Sequence, residues 1–275
     1  MKLCFSTLGC HDFPLAEILK LALKYDVSAI EVRGIDNEMS NDRISDLMEG
    51  QVGKTKAALK QAGVLPLILG TSCKFHDESI AEKNIEKAKT EIDIAQRAGF
   101  KAIRVFGNNI IDSEMECIQR VAEALDEVCA YAKNKDVQVY LEVHGDFNTV
   151  ERLSLLIEQM EQKENFGLIW DIYHTHSVYG KQWRVFYEAM KPWIQHVHIK
   201  DSIGRKLTLP NEGELEIIPI IKHLIHDGYT GWFSLEWERK WEPELPPLDV
   251  ALTCLCDLLK ASEIDIEKER TGWFR

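Results

Sequence analysis

Short β-branched or aliphatic runs alternate with longer stretches of helical period along the whole chain. The strand candidates are LCFSTLG from residue 3, AIEVRG from 29, PLILGTS from 66 and AIRVFGN from 102. They continue with VQVYLEVHG from 137, FGLIWDIYH from 166, IQHVHIKD from 194 and GWFSLEWE from 231. In the intervals, Ile85, Ala88, Ile92 and Ala95 recur in steps of three and four, as do Ile118, Val121, Leu125 and Val128, which is the period of a helix with one apolar face. Gly63, Gly99 and Gly228 stand where helices must end before a strand begins. The segment PPLDVALTCLCDLLKA from 246 completes an eighth strand–helix unit. Strict alternation of this kind demands parallel strands joined by crossover helices. Eight units without a break in composition predict an α/β protein built as a closed (β/α)8 TIM barrel. An open doubly wound sheet fits less well, because no glycine-rich phosphate loop follows the first strand. Barrels of this kind need about 250 residues, so residues 1–275 read as one domain. The charged and then aromatic stretch 263–275, EIDIEKERTGWFR, forms a C-terminal tail that caps a barrel face, packs on a neighbouring subunit or frays.

Side chains alternate along a strand, so one parity faces the helices and the other the barrel interior. On the fifth strand Val139, Leu141 and Val143 oppose Tyr140, Glu142 and His144. On the sixth, Leu168, Trp170 and Ile172 oppose Ile169, Asp171 and Tyr173. On the seventh, Val197 and Ile199 oppose His196, His198 and Lys200; on the eighth, Phe233, Leu235 and Trp237 oppose Ser234, Glu236 and Glu238. The apolar parity packs against helices, which turns Glu142, Asp171, His198 and Glu236 inward from four consecutive strands, near their carboxyl ends, where barrel active sites lie. Three carboxylates converging in a low-dielectric interior need positive charge beside them. A buried ion network with Lys200, Arg33 and Arg104 would supply it. A single divalent ion fits the donor set better, because an imidazole among carboxylates suits Mn²⁺, Mg²⁺, Co²⁺ or Zn²⁺.

Other polar residues fall near these four. Glu31 and Arg33 point inward on the second strand, as do Arg104 and Asn108 on the fourth; Glu31 would meet substrate hydroxyls or join an ion pair. His144 would orient substrate or ligands, and His196, deeper, reads as a hydrogen-bonded core histidine. Lys200 and Asp201 would support the ligands or the substrate at the strand end. Trp170 and Trp237 sit on the helix-facing parity and read as core.

Charge and composition narrow the function class. With 33 basic against 45 acidic residues, a net of −12, the chain lacks the basic footprint of a nucleic-acid-binding surface. The seven cysteines, Cys4, Cys10, Cys73, Cys117, Cys129, Cys254 and Cys256, form no paired CxxC motif, so a zinc knuckle is disfavoured and reduced, mostly buried thiols are expected. The opening MKLCFSTLGCHDFP turns polar early, unlike a signal peptide, and no run approaches the roughly 20 apolar residues of a membrane span. The expectation is a cytoplasmic protein without a membrane partner.

At this point the pattern resembles a known family, the xylose-isomerase-like barrels of sugar isomerases and epimerases, which include ketose 3-epimerases and inositol-catabolism proteins. The matching stretches are LEVHG with Glu142, WDIYHTH with Asp171 and His174, HVHIKD with His198, and SLEWE with Glu236; KLCFSTLG at the start and NEGELEI before the last crossover helix look typical too. The resemblance spans the chain, and its four-ligand order is specific for the superfamily and weak for any one substrate. It implies that Glu142 and Glu236 bind the metal and also act as acid/base groups, that His174 contacts substrate, and that Arg205, though not at a clean spacing, assists from the loop after His198 unless it is a solvated loop charge. Dimerisation is common in the family, so a homo-oligomer is open to test. The chemistry stands without the analogy. A metal chelating the carbonyl and adjacent hydroxyl of a ketose acidifies the C–H between them by stabilising an enediolate. One carboxylate removes the proton and a second on the opposite face returns it.

The expected function is therefore a divalent-metal-dependent isomerase or epimerase of a sugar, sugar phosphate or cyclitol. A lyase, dehydrating an inosose or dehydroshikimate from the same site, is the runner-up. A three-zinc barrel of the endonuclease IV type is disfavoured. Asn108 ends the fourth strand, no Asp-x-His lies between His198 and Glu236, and His223 and His226 fall in a helix pattern. His76, after the third strand, remains for an added role at the site. A non-catalytic binding barrel is the remaining alternative.

Overall fold

The computed structural model describes residues 1–267. In chain order the strands are β1 (Lys2–Ser6), β2 (Ala29–Val32), β3 (Leu65–Lys74), β4 (Ala102–Phe106), β5 (Gln138–Glu142), β6 (Phe166–Asp171), β7 (Ile194–Ile199), a hairpin of β8 (Asp201–Ile203) and β9 (Lys206–Thr208), and β10 (Trp232–Leu235). All but the hairpin close into an eight-stranded barrel in the order β1, β10, β7, β6, β5, β4, β3, β2. The pairings β1–β10, β1–β2, β10–β7, β3–β4, β4–β5 and β5–β6 are parallel. Parallel strands covered by helices are buried on both faces, which is why β2 and β6 carry no exposed residue.

The helices between the strands are α1 (Leu15–Lys24), α2 (Glu49–Ala62), α3 (Glu78–Ala98), α4 (Glu114–Lys133), α5 (Val150–Gln159), α6 (Ile172–Tyr179), α7 (Trp183–Met190), α8 (Ile217–His226) and α9 (Leu248–Ala261). Gly63 and Gly99 close α2 and α3 in the left-handed conformation that glycine adopts without steric penalty. No helix among the described residues is long and apolar enough to cross a membrane. All seven cysteines are free, and Cys4, Cys10, Cys73, Cys117 and Cys129 are buried.

Contacts gather the chain into two compact units, residues 1–67 with the segment from 196 onward, and residues 68–195. In the first unit Leu3, Phe5, Ile18, Ala22, Ile30, Leu224, Phe233, Leu252 and Leu255 are buried. Each fully buried aliphatic side chain of this kind contributes about 1.5–3 kcal/mol. The Tyr25 hydroxyl at the end of α1 donates to the Asp249 carbonyl of α9 at 2.8 Å. Trp237 is core, as its parity predicts, with its indole N–H on the Pro246 carbonyl at 2.7 Å. The start of the expected tail lies back along β1: the Met1 amino group donates to the Asp265 carbonyl at 2.5 Å and the Glu267 amide to the Met1 carbonyl at 2.8 Å. The rest of that tail, 268–275, lies outside the described residues.

In the second unit the apolar stripes of α3 and α4 read from the sequence, Ala88, Ile92 and Ala95 with Ile118, Val121, Leu125 and Val128, are buried together with Ile103, Val139, Leu141 and Leu168 of the strands. Trp170 is fully buried, its ring beside those of Phe186 and Tyr187 with centroids 5.6 and 5.8 Å away.

Two features depart from the sequence reading. The strands stop earlier: β6 ends at Asp171, and the residues expected to continue it, Ile172 to His174, begin α6 instead. The cause is local, since the Asp171 carboxylate accepts the Tyr173 and His174 amides and so starts a helix. Periodicity also gave no sign of the β8–β9 hairpin, which is too short to show an alternating pattern.

Candidate metal centre

In the unit formed by residues 68–195, Glu142 is the last residue of β5. Arg104, inward on β4, donates from Nη1 to its Oε2 at 2.9 Å, and both side chains are buried. The Arg104 guanidinium also donates to the Thr71 carbonyl at 3.1 Å, so this arginine is clamped and in turn holds the Glu142 carboxylate. Asp171 ends β6 and divides its oxygens between two tasks. Oδ1 accepts the Tyr173 amide at 2.8 Å and the His174 amide at 3.4 Å, while Oδ2 lies 3.9 Å from Nε2 of His174. The Asp-x-x-His spacing is thus a helix cap that brings the imidazole back over its own capping residue. His144, two residues past Glu142, packs edge-on against His174 with ring centroids 4.2 Å apart. His76 is buried at the end of β3, its Nε2 3.2 Å from the Asn108 side-chain amide and its carbonyl accepting from Arg120.

In the other unit His198, inward on β7, has a carboxylate at each ring nitrogen. Nδ1 lies 3.3 Å from Glu236 Oε2, and Nε2 lies 3.1 Å from Glu31 Oε2. Burial alone would lower the imidazole pKa, but Glu236 and Glu31 outweigh it and hold His198 well above the usual value. The other oxygen of Glu31 accepts from His196 Nε2 at 2.7 Å. Burial would raise the Glu31 carboxyl, yet His198 and His196 hold it well below the ordinary range. Lys200 is buried and reaches Glu236 Oε2 at 2.6 Å and Glu238 beside it.

One ligand atom from each of Glu142, Asp171, His198 and Glu236 lies within 4.8 Å of the others, so these four residues could hold a metal ion. They are 2, 0, 0 and 2% exposed. The ion network that the sequence also allowed is present in part, through Arg104 and Lys200. Three buried carboxylates beside one imidazole are a donor set that a divalent cation satisfies. The donor set therefore fits one.

Of the two roles the sequence allowed Glu31, the structure shows charged pairing: its oxygens meet His196 and His198, because the pleat of β2 points it at β7 residues that sequence spacing cannot relate to it. Asp201 turns to its own loop. Its buried carboxylate accepts the backbone N–H groups of Ser202, Asn211, Gly213 and Leu215 at 2.9 to 3.1 Å, fastening the loop that contains NEGELEI. Arg205 is exposed in the tight turn of the β8–β9 hairpin. The role of Arg104 as the clamp of Glu142 was visible only as one option in a network; its signal was a lone inward arginine on the strand next to an inward glutamate.

The comparisons with known proteins agree with one another. The model of the family described as xylose isomerase-like TIM barrel matches residues 19–257. Fructoselysine 3-epimerase of Shigella flexneri is 24% identical over 253 residues, covering 86% of this chain and 90% of that protein. Inosose dehydratase of Yersinia enterocolitica is 28% identical over 144 residues, 44% of this chain and 48% of that protein. The IOLI protein, solved with a bound zinc atom, superposes with a TM-score of 0.78 at 20% identity over 95% of this chain and 98% of its own.

Proposed function

Because the chain belongs to the xylose isomerase-like TIM barrel family, we propose that it is a divalent-metal-dependent isomerase or epimerase of a sugar, sugar phosphate or cyclitol, with Glu142, Asp171, His198 and Glu236 holding one metal ion. The observation that carries this reading is the buried meeting of three carboxylates and one imidazole. Mn²⁺, Mg²⁺, Co²⁺ and Zn²⁺ all accept such a donor set. When bound, the ion supplies Lewis acidity to a substrate carbonyl and its neighbouring hydroxyl, which makes the C–H between them acidic.

The chain's own groups do the proton work. Glu142 and Glu236 stand on the ends of strands three places apart in the barrel order, a separation that suits two acid/base groups serving opposite faces of one carbon. One takes the proton and the other returns it, which inverts that carbon; if a single carboxylate serves two carbons, the outcome is aldose–ketose isomerisation. Arg104 and Lys200 keep the two carboxylates oriented through the transfer. His144 and His174, packed against each other beside Glu142, meet substrate hydroxyls, with His76 further out on the same unit. Arg205 is exposed in its hairpin turn. The extensive match to a 3-epimerase, against a match to about half of a dehydratase, favours epimerisation.

Dehydration is the second reading. Loss of water from a β-hydroxy carbonyl begins with the same proton removal and then needs an acid at the departing hydroxyl, and the His144–His174 pair offers one. Incubation of metal-loaded protein with fructose, tagatose and inosose in deuterium oxide separates the readings. Deuterium entering the ketose next to its carbonyl, lost in Glu236→Gln, supports the epimerase; an ultraviolet-absorbing enone from inosose supports the lyase. Neither signal with any of the four metals would overturn both.

A further inference from the structure

His198 is the only imidazole among the four proposed ligands, and it has two nitrogens to choose from. Nδ1 faces Glu236, another member of that set, at 3.3 Å. Nε2 faces Glu31 Oε2 at 3.1 Å, and the other oxygen of Glu31, Oε1, lies 2.7 Å from Nε2 of His196. All three residues are buried, at 3, 1 and 0% exposure for Glu31, His196 and His198. A carboxylate can only accept, so each of the two hydrogen bonds to Glu31 requires a proton on the imidazole Nε2. A proton on Nε2 of a neutral His198 leaves the lone pair on Nδ1.

We propose that Glu31 is a positioning residue that fixes the tautomer and ring plane of His198, so that Nδ1 is presented to the metal, and that His196 holds Glu31 in place for this task. The inference rests on the metal reading of the site above. Glu31, His196 and His198 could instead form a second metal site, since their ligand atoms also lie within 4.8 Å of one another. Both imidazole–carboxylate separations are direct hydrogen-bond lengths, so protons on the two Nε2 atoms account for them. Outer carboxylates of this kind typically govern metal affinity by about 10–100-fold.

The test compares wild type with Glu31→Gln, using zinc and manganese alone as probes. Metal stoichiometry comes from emission spectroscopy and affinity from competition with a chelator, with circular dichroism checking that the barrel is folded. The expected result is one ion per chain in both proteins, with affinity weaker by about 10–100-fold in the variant. Because Glu31 is buried and its substitution can itself cost folding, wild-type protein labelled with ¹⁵N-histidine is measured in parallel. The zinc-loaded form is expected to show His198 protonated on Nε2 and free of a proton on Nδ1. A proton on Nδ1, equal affinities, or two ions in wild type falling to one in the variant would each overturn the assignment while leaving the main metal site standing. Wild type that takes up no ion would overturn the metal reading itself.

Discussion

Lys200 Nζ lies 2.6 Å from Glu236 Oε2 in a place where neither side chain is more than 3% exposed. A buried ion pair gains little over a well-packed apolar pair, but removing one partner leaves the other charge stranded, at about 3–5 kcal/mol. Lys200→Met is therefore expected to destabilise the metal-free protein by about that amount in urea unfolding. Added metal should recover part of the loss, because the ion takes over the neutralisation of Glu236. A loss under 1 kcal/mol would show that the pair is not shielded from water as the structure has it.

Glu142→Gln keeps the shape of the side chain and removes its charge and its basicity. Positioned proton transfer contributes about 10²–10⁴-fold, so exchange of deuterium into substrate should fall by at least ~100-fold while the circular dichroism spectrum stays unchanged. Full activity in this variant would remove Glu142 from the reaction.

Metal removal has a thermodynamic signature apart from activity. An ion that binds only the folded chain stabilises it by about 2.7 kcal/mol at a hundred times its dissociation constant. The melting temperature should rise with added manganese, cobalt, magnesium or zinc and fall with chelator, and the double substitution Glu142→Gln/Glu236→Gln should flatten that response.

The metal-free protein should show a pH window set by the Glu31–His198 pair. Glu31 is depressed below its usual 4.5, so its contribution is complete above about pH 4.5 and disappears as pH falls toward the folded value. His198 is raised above its usual 6.5, so its contribution is complete below about pH 6.5 and disappears as pH climbs through the raised value. His196, lowered by burial, adds to the loss on the acid side. Urea midpoints are expected to peak at about pH 6.5, and the alkaline decline should vanish in His198→Asn. A midpoint that climbs steadily through pH 8 would contradict the pairing.

Asp201 fastens its loop through four backbone N–H groups. Hydrogen bonds to a charged acceptor are worth about 1.5–3 kcal/mol each at most, and Asp201→Ala should speed amide exchange at Asn211, Gly213 and Leu215 by one to several orders of magnitude, about tenfold per 1.4 kcal/mol. The proposed ligands should still bind metal. Unchanged exchange would show that the loop is held by something else.

What residue order determined by itself was whatever depends on near neighbours. Alternation along each strand set which side chains face inward, and the three-and-four spacing of Ile92, Ala95, Val121 and Leu125 set the helix faces, because both periods are properties of a few consecutive residues. That was enough for the barrel and for bringing Glu142, Asp171, His198 and Glu236 to one end of it. Which partner each group meets was decided only by the folded chain. Glu31 reaches His196 and His198 across 165 and 167 residues of sequence, and Asp201 turns to a loop ten to fourteen residues on. Those pairings follow from strand order, register and loop path, which bring distant segments together at ångström precision and leave no trace in local spacing.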